Sequence, residues 1–445
     1  MCALFGVWKL SKAAELTVIG LHNNQHRAID FACIVSSDGV NLYRAGGEGL
    51  ARQVFTEKVI NRLHGMHALG HLRYPTTERD DEKRDNTQPI MGIHSGRPFA
   101  LAHNGNLTNL VQLRELVAQK GKKLATSMDS ECIVRLLEIH DTGDIIADLY
   151  TVLPLLKGSY ALGILVPDCL IAVQDPQNNR PLSIGRAGES LFISSETCAF
   201  PNVGATYVCD VGPGTIVRLD QKGIITSRFA TAKEKKCRFE GIYYAHPSSK
   251  VFGESVSQFR VSIGRELARL FSVPDGADLV TPIPDASNYI AMGFAEGSRI
   301  PYFPVIVRSH YVGRSFIAAT QAQRDLEVSQ KFSFDPEQIK GRRIVVVDDS
   351  IVRGTTLPTI VSMLRDLGAK AVHVRIGSPP ITNACKYGIN TPDQTKLISH
   401  RLTPPEICKW VGADSLEFLP LEALQGLSGD PEKFCFACMD GKYWS

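Results

Sequence analysis

Residues 342–356, RRIVVVDDSIVRGTT, join an apolar run to a short polar loop of a kind that binds phosphate. The apolar residues 344–347 predict a buried strand that ends at Asp348 and Asp349. In the loop that follows, Gly354 lets the backbone approach an anion closely, and the start of the next predicted helix supplies N–H donors. The paired carboxylates can bind ribose hydroxyls directly or through Mg²⁺. Two acids alone would suit a plain capped turn equally well, but the whole string indicates a sugar-phosphate site.

Cys2 is a second candidate for chemistry, because it follows only the initiator methionine. Removal of Met1 would leave a cysteine that carries its own α-amine, which titrates near a pH of about 8. That amine can take the proton of the thiol, as an N-terminal threonine amine activates its hydroxyl. A cysteine at position 2 is weak evidence by itself. Its prediction as a nucleophile therefore depends on the residues that accompany it.

Both features lie within longer strings that resemble known families. VVVDDSIVRGTT is similar to the phosphoribosyl pyrophosphate (PRPP) signature of type I phosphoribosyltransferases, in the form found in the amidophosphoribosyltransferase family. CALFGVW resembles the opening of class II glutamine amidotransferases, and HLRYPTTE, AHNGNLTN and MDSE follow in the order of that family. The resemblance extends from Cys2 to Tyr443. The sequence is thus identified as a member of the amidophosphoribosyltransferase family, in its iron–sulfur branch.

The resemblance implies a PRPP and magnesium site in the second half of the chain. Asp348 and Asp349 would bind the ribose diol or magnesium. The residues that would surround the 5′-phosphate are Ser350, Arg353, Gly354, Thr355 and Thr356. HYVGRSFIAATQAQRDLEVSQK resembles the family's loop over the pyrophosphate, which makes Arg314 and Lys331 candidate cationic contacts. IPDASNYIAMG resembles a strand end whose serine helps to hold magnesium, and Ser287 is the candidate here because Ala286 occupies the matching position.

A glutamine site is implied in the first half, with Cys2 as the nucleophile. Acyl transfer creates an oxyanion, for which Asn104 and Gly105 can offer a side-chain amide and a backbone N–H. Arg73 can bind the α-carboxylate of glutamine through two hydrogen bonds, and Asp129 can bind its α-ammonium group. In isolation, Arg73 would be interpreted as a surface ion pair and Asp129 as a helix cap.

Cysteines near the end of the chain indicate a metal centre. Cys435 and Cys438 form a C-x-x-C pair, which alone is a weak metal or redox signal. The resemblance implies that Cys237 and Cys385 complete a set of four thiolates for a four-iron four-sulfur cluster. Zinc is the alternative occupant of such a set, and buried packing thiols are a further alternative.

Two kinds of element must position these residues. Up to about residue 230, short β-like runs alternate with a few amphipathic helices, which predicts a layered α+β domain. From about residue 255, helices and strands alternate, as is typical of a parallel sheet covered by helices in an α/β domain, with one strand predicted at 302–307. The basic stretch 231–239, followed by the strand-like IYYA at 242–245, is the preferred boundary.

The resemblance gives these domains their implied folds. Residues 2–232 would form an N-terminal-nucleophile hydrolase αββα sandwich that acts as a class II glutamine amidotransferase domain. Residues 233–445 would form a type I phosphoribosyltransferase domain with a cysteine-containing tail. The chain is expected to hydrolyse glutamine and to transfer the ammonia to PRPP, giving 5-phosphoribosylamine, glutamate and pyrophosphate in the first step of de novo purine synthesis.

Composition limits the other classes of function. A chain of 445 residues with 21% charged residues and a net charge of +3 gives no electrostatic support for a nucleic-acid or membrane partner. It contains no apolar run of the roughly 18 residues that a membrane span requires, which predicts a cytoplasmic enzyme. The family implies a homo-oligomer inhibited by purine nucleotides.

Departures from the family strings keep two alternative functions open. They are Ala3, Ala28, Ala286 and the string HPSS at 246–249. One alternative is a paralogue that uses glutamine and PRPP with another acceptor or pathway. The other is a PRPP-binding sensor that lacks glutaminase activity.

Overall fold

The computed structural model describes residues 2–74, 86–309 and 330–444. Its first half contains two antiparallel sheets. The seven-stranded sheet has the strand order Thr206–Asp210, Ser183–Ala187, Ser190–Ser194, Ala3–Trp8, His67–Arg73, Phe31–Ser37 and Leu42–Glu48. The six-stranded sheet has the order Gly223–Arg228, Thr215–Asp220, Cys169–Gln174, Gly158–Val166, Arg97–Leu107 and Ile90–His94.

Apolar side chains from both sheets pack into one core between them. Leu4 and Leu69 of the first sheet contact this core together with Ala161 and Leu170 of the second. Helix Ala13–Asn23 covers the outer face of the first sheet. Helices Leu110–Gln119, Asp129–Ile139 and Ile145–Val152 cover the second. The predicted αββα sandwich is therefore present, and strand Ala3–Trp8 is buried along its whole length because both of its faces are covered.

The second half is built on a parallel sheet. Its strand order is Leu279–Pro282, Arg343–Asp348, Ala371–Ile376 and Ser415–Phe418. Helices Val256–Leu270 and Asn288–Ser298 pack on one face, and helices Leu357–Asp366 and Pro404–Val411 pack on the other. All four strands end at the same edge of the sheet, as parallel pairing requires, so Asp348 and Asp349 lie at that edge.

Shorter elements complete the structure. The first half also contains helices Ala51–Val54 and Glu57–Ile60. The second half contains helices Pro336–Ile339, Ile398–Arg401, Leu421–Gly426 and Ala437–Asp440, and a short pair of strands at Lys250–Val251 and Glu254–Ser255. None of the helices in the described ranges has both the length and the apolar character needed to cross a membrane.

One strand predicted in the second half is only partly present, and another is wrong. Of the strand predicted at 302–307, only the last two residues lie in strand Ile306–Arg308, which pairs with Phe332–Phe334 outside the parallel sheet. The strand-like IYYA instead overlaps a π-helical turn at Glu240–Tyr244. The carbonyls of Tyr243 and Ala245 accept hydrogen bonds from the Arg260 guanidinium instead of from a neighbouring strand.

The end of the chain returns to the junction between the halves. Strand Lys236–Cys237 pairs in parallel with Phe434–Cys435, so Cys237 lies beside Cys435. The last strand of the six-stranded sheet ends at Arg228. The boundary at 232/233 remains a prediction, since the segment around it is shared by contacts to both halves.

Candidate active sites

A small pocket lies beside the first strand of the sandwich. It is lined by four of the five residues predicted for glutamine, which are Cys2, Arg73, Gly105 and Asp129. Tyr74, His103 and, from the second half, Gly388 also line it. Pairing of Ala3 with Leu72 sets Cys2 next to Arg73 at the end of strand His67–Arg73. Asn104, the fifth predicted residue, is buried directly before Gly105 in strand Arg97–Leu107.

Two donors at this pocket have no hydrogen-bond partner within the described part of the chain. They are the Nη1 atom of Arg73 and the Nδ2 atom of Asn104. The Arg73 side chain is 7% exposed and Asn104 is 1% exposed. Buried donors without partners are costly, so each is suited to an acceptor brought by a substrate.

Asp129 is the first residue of helix Asp129–Ile139. Burial would raise the pKa of its carboxyl, but the charge of His103, 3.6 Å away, and hydrogen bonds, among them one from the Leu107 N–H, lower it below the usual value. Asp129 is therefore an anion near neutral pH and can bind an ammonium group.

His103 was missed by the sequence analysis, although it lies in the AHNGN string. Its Nε2 atom donates to the Ser159 carbonyl at 3.2 Å, and its backbone N–H donates to the Gln88 side chain at 2.6 Å. These bonds hold the strand that carries Asn104 and Gly105. No signal in the sequence indicated this role.

A second pocket, of about 500 Å³, lies at the carboxyl edge of the parallel sheet. Asp348, Asp349 and Arg308 line it from the second half, and His26 reaches it from the first. Burial and the charge of Asp349 raise the pKa of Asp348 well above its usual range, and burial likewise raises that of Asp349. Two adjacent acids that resist joint ionisation are suited to a cation between them and a ligand.

Tyr243 and Arg260 are further residues of this pocket that the sequence did not reveal. Arg260 donates to the carbonyls of Gly241, Tyr243 and Ala245 at 2.8–2.9 Å. It thereby fixes the turn that presents Tyr243 to the acids. Desolvation of the phenol hydroxyl and the charges of Asp349 and Asp348 raise the pKa of Tyr243 to about 12. The isolated arginine in an amphipathic helix gave no signal for this contact.

The predicted phosphate loop connects strand Arg343–Asp348 to helix Leu357–Asp366. Gly354 has a φ of 70°, which favours glycine, and the Arg353, Thr355 and Thr356 side chains are exposed beside it. The Ser350 hydroxyl instead donates to Asp349 at 2.7 Å. On the outer side of the loop, the indole N–H of Trp410, a residue 59% exposed, donates to the Gly354 carbonyl at 3.4 Å.

Of the other predicted PRPP and magnesium residues, Lys331, Ser287 and the loop residues at 350 and 353–356 are not among those lining this pocket. Arg314 lies outside the described residues. Lys331 directly precedes strand Phe332–Phe334, and its side chain is not among those lining the pocket. Ser287 is fully buried, and its hydroxyl donates to the Ile283 carbonyl. We therefore leave Ser287 out of the proposed magnesium site.

The four predicted cluster ligands converge at the junction of the halves. Cys237 pairs with Cys435, and the N–H groups of Thr382 and Asn383, near Cys385, both donate to the Cys438 carbonyl at 3.0 Å. Burial raises the pKa of the Cys438 thiol, and the other three thiols are close enough to raise it further. Every cysteine lies in the described ranges and none forms a disulfide.

Another group of potential metal ligands lies far from these centres. His94, Asp141 and Asp148 have ligand atoms within 4.8 Å of one another. His94 bonds to Asp148 at 2.6 Å, and Thr142 and Ser95 donate to the two carboxylates. Hydrogen bonding therefore accounts for this group without a metal.

A buried charge network joins the two pockets. Arg27 donates to the Cys2 carbonyl at 3.1 Å and to both Glu240 oxygens at 2.9 and 3.0 Å. Arg27 also donates to Glu196 at 2.5 Å, and Arg180 donates to Glu240 at 3.1 Å. Glu240 begins the turn that carries Tyr243. The strand of Cys2 is thus tied to the wall of the second pocket.

An antiparallel sandwich with a pocket at its first strand, joined to a parallel sheet with a phosphate-type loop, defines the class of glutamine-dependent phosphoribosyltransferases. Residues 71–202 match the family model described as a glutamine amidotransferase domain. Over 451 residues the chain is 39% identical to the amidophosphoribosyltransferase of Bacillus subtilis (strain 168), covering 99% of this chain and 94% of that one. It is also 39% identical to the enzyme of Methanocaldococcus jannaschii over 463 residues, covering 100% of this chain and 97% of that one.

A solved structure gives the same result. The glutamine PRPP amidotransferase from B. subtilis, complexed with ADP and GMP, matches with a TM-score of 0.93 at 39% identity, covering 99% of this chain and 97% of that one. The chain belongs to the amidophosphoribosyltransferase family. These matches confirm the predicted family and the predicted fold class. They also confirm the predicted enzyme class, a glutamine-dependent pentosyltransferase.

Proposed function

We propose that the chain releases ammonia from glutamine at Cys2 and transfers it to PRPP held at residues 348–356. The products are glutamate, pyrophosphate and 5-phosphoribosylamine, in the first step of de novo purine synthesis. The observation that carries this proposal is the buried Arg27–Glu240 pair, which ties the strand of the nucleophile to the PRPP pocket. Such a tie suits an enzyme in which one half-reaction feeds the other.

In the glutamine half, once Met1 is removed, the Cys2 sulfur attacks the side-chain carbonyl carbon of glutamine after its proton passes to the freed α-amine of Cys2. The oxyanion receives hydrogen bonds from the free Asn104 Nδ2 and the Gly105 N–H. As the thioester forms, the leaving nitrogen takes the proton and departs as ammonia, and water then hydrolyses the thioester to glutamate. Arg73 and Asp129 bind the substrate's carboxylate and ammonium groups.

In the PRPP half, ammonia attacks the ribose carbon that carries pyrophosphate. The exposed Thr355 and Thr356 and the backbone at Gly354 bind the 5′-phosphate, with Arg353 as a nearby cation. Asp348 and Asp349 would hold Mg²⁺, which would neutralise the charge of the departing pyrophosphate. Their mutual charge and burial make the pair fit a divalent cation.

We further propose that Cys237, Cys385, Cys435 and Cys438 hold a four-iron four-sulfur cluster. A tetrahedral zinc ion with bonds of about 2.3 Å would bring its four sulfur atoms to about 3.8 Å from one another. Although all four cysteines are described, no three of their sulfur atoms lie within 4.8 Å of one another. A closed zinc site would bring them closer, so this arrangement favours the larger cluster.

Nucleotide regulation and oligomeric state are also proposals. The B. subtilis structure complexed with ADP and GMP supports inhibition of this chain by purine nucleotides. We expect a cytoplasmic homo-oligomer, which size-exclusion chromatography with light scattering tests. A monomer at assay concentration would contradict that expectation.

Replacing Cys2 with alanine tests the function. In Cys2→Ala we expect glutamine-dependent synthesis to be lost and ammonia-dependent synthesis from PRPP to be kept, because only the first half-reaction needs the thiol. Glutamate and phosphoribosylamine are measured with either nitrogen source. Cys209→Ala, at an exposed thiol, is the matched control and should retain both.

Other outcomes of this assay identify the alternatives. Glutamate release by the wild type without phosphoribosylamine would favour another acceptor. PRPP binding without glutamate release would favour the sensor.

Metal analysis tests the cluster. Protein purified without oxygen should contain about four iron and four sulfide ions per chain. Cys435→Ser should lose most of them, since it removes a thiolate ligand, while Cys408→Ser should not. One zinc ion per chain and no sulfide would contradict the cluster.

A further inference from the structure

Residues 386–388 of the second half, which we call the strap, lie against Gly105 and Asn106 of the first. Asn106 Nδ2 donates to the Lys386 carbonyl at 2.9 Å. The Ser159 hydroxyl, from the neighbouring strand Gly158–Val166, donates to the Tyr387 carbonyl at 2.6 Å. The strap therefore contacts the strand segment that carries the oxyanion donors.

The closest approach is between two glycine backbones. Gly388 has a φ of 106°, a conformation that favours glycine. A Cβ atom on Gly388 would lie 2.9 Å from both the carbonyl carbon and the oxygen of Gly105, and 3.1 Å from its Cα. Real Cβ contacts are essentially never under 3.0 Å, so any side chain at 388 would displace Gly105.

The strap is itself fixed from several sides. The Tyr387 carbonyl accepts two hydrogen bonds from the fully buried Arg180, at 3.0 and 2.8 Å. The Tyr387 ring stacks on Trp444 with centroids 3.3 Å apart, and its hydroxyl donates to the Trp444 carbonyl at 2.6 Å. One residue before the strap is Cys385, whose N–H donates to the Thr391 hydroxyl at 2.7 Å.

We propose that the strap positions the Asn104 and Gly105 donors, so that glutamine hydrolysis in the first half requires the Cys385 loop of the second half. This inference rests on the proposed oxyanion role of those two residues. Oxyanion donors act only when held within a fraction of an ångström of their geometry. A fixed backbone in van der Waals contact with Gly105 supplies that restraint.

The proposal predicts which kinetic constant depends on the strap. Arg73 and Asp129, which bind the ends of glutamine, are not among the strap's hydrogen-bond partners. A displaced Gly105 should therefore lower kcat for glutamine hydrolysis while KM changes little. Ammonia-dependent synthesis needs no oxyanion donors and should be unchanged.

Gly388→Ala in the full chain is the direct test, with Gly223→Ala as the matched control. Gly223 has a φ of 95° and open space around its Cβ position. Alanine at 223 therefore causes the same kind of backbone strain as alanine at 388 but does not collide with another residue. We expect Gly388→Ala to lose roughly 100-fold in glutaminase kcat, with KM within about 3-fold and ammonia-dependent synthesis retained. Glutaminase kcat equal to that of Gly223→Ala would overturn the proposal, as would an equal loss of both activities.

A milder variant provides a second test in case Gly388→Ala does not fold. Tyr387→Phe removes only the hydroxyl that binds the Trp444 carbonyl, and should lower glutaminase kcat in the same selective way but by less. If Gly388→Ala does not fold, an unchanged kcat in Tyr387→Phe overturns the proposal.

Asn104→Ala separates failure of the inference from failure of its premise. Loss of glutaminase in Asn104→Ala but not in Gly388→Ala would refute the strap alone. Retained glutaminase in Asn104→Ala would refute the oxyanion assignment itself.

Discussion

At the scale of single residues, Arg73 illustrates how the glutamine pocket is prepared for its substrate. Its guanidinium is 6.0 Å from the Phe31 ring, and its Nη1 atom has no partner among the described residues. Burial lowers its pKa, and the charges of Cys2, Asp30 and Asp129 oppose that change. The guanidinium therefore stays positively charged, and its Nη1 atom can donate to the carboxylate of a substrate.

We predict that Arg73→Lys raises KM for glutamine roughly 10- to 100-fold. A lysine cannot make the two parallel hydrogen bonds that a guanidinium offers to a carboxylate. The constants for ammonia-dependent synthesis should stay unchanged. Arg218→Lys, at a side chain 44% exposed, is the control, and an equal KM in both variants would contradict the role of Arg73.

Sequence strings that follow the order of the family were sufficient to predict most of the glutamine-pocket lining, the paired acids and the convergence of four cysteines. Arg27, Arg180 and Gly388 could not be predicted in the same way. Their partners lie far away in the chain; Arg27 and Glu240, for example, are separated by 213 positions. Only the fold determines that a buried arginine in one half meets a carboxylate in the other.

At the scale of elements, helices Val256–Leu270 and Asn288–Ser298 pack with their backbones in contact. A Cβ on Gly264 would collide with the Ile290 carbonyl, and one on Gly293 would collide with the Val261 carbonyl. The first helix carries Arg260, which fixes the turn at the PRPP pocket. The glycine pair therefore sets both the helix spacing and the position of that arginine.

We predict that Gly264→Ala lowers the free energy of unfolding by about 1–3 kcal/mol, because the helices must separate. It should also weaken PRPP binding through Arg260. Gly426→Ala is the control: Gly426 ends a helix in open space, and alanine there should be neutral or stabilising by at most about 1 kcal/mol. Thermal unfolding and PRPP titration measure both effects, and equal results in the two variants would refute the packing argument.

Strand prediction succeeded where apolar runs were continuous. Four strands of the sandwich were not predicted: Leu42–Glu48, Ile90–His94, Ser183–Ala187 and Gly223–Arg228. Each contains glycine; three of them are edge strands and the fourth, Ser183–Ala187, lies next to an edge, where a strand needs less apolar cover. The strand predicted at 242–245 was wrong for the opposite reason. Its aromatic residues are typical of a strand, but Arg260 binds carbonyls of the turn Glu240–Tyr244 that replaces it.

At the scale of the whole molecule, buried ion pairs hold the halves together. Glu196 accepts hydrogen bonds from Arg27 in the first half and from the Ser249 hydroxyl and the His246 N–H in the second. Burial would raise the pKa of Glu196, but the charges of His26 and Arg27 lower it well below its usual value. The pair therefore depends on an ionised carboxylate.

The sign of the pH dependence follows from that lowered pKa. Since the folded pKa lies below the unfolded value of about 4.5, the Glu196 carboxylate stabilises the fold above about pH 4.5 and loses this contribution as the pH falls further. We predict that Glu196→Gln is destabilised by about 3–5 kcal/mol near neutral pH and that its deficit shrinks below pH 4.5.

Thermal midpoints measured across this pH range check the prediction. Glu115→Gln, at an exposed position of helix Leu110–Gln119, is the control and should follow the wild type at every pH. A constant deficit of Glu196→Gln down to acid pH would show that lost packing, rather than the charge, explains its effect.

The chain's three tryptophans include two that lie at separate functional regions. Trp410 is exposed beside Gly354 of the phosphate loop, and Trp444 is stacked on Tyr387 next to the strap. Indole fluorescence responds to solvent exposure and to stacked rings, so each emits from a different environment. The protein thus contains its own optical reporters, one for occupancy of the phosphate loop and one for the strap, which a single Trp→Phe replacement at either position would separate.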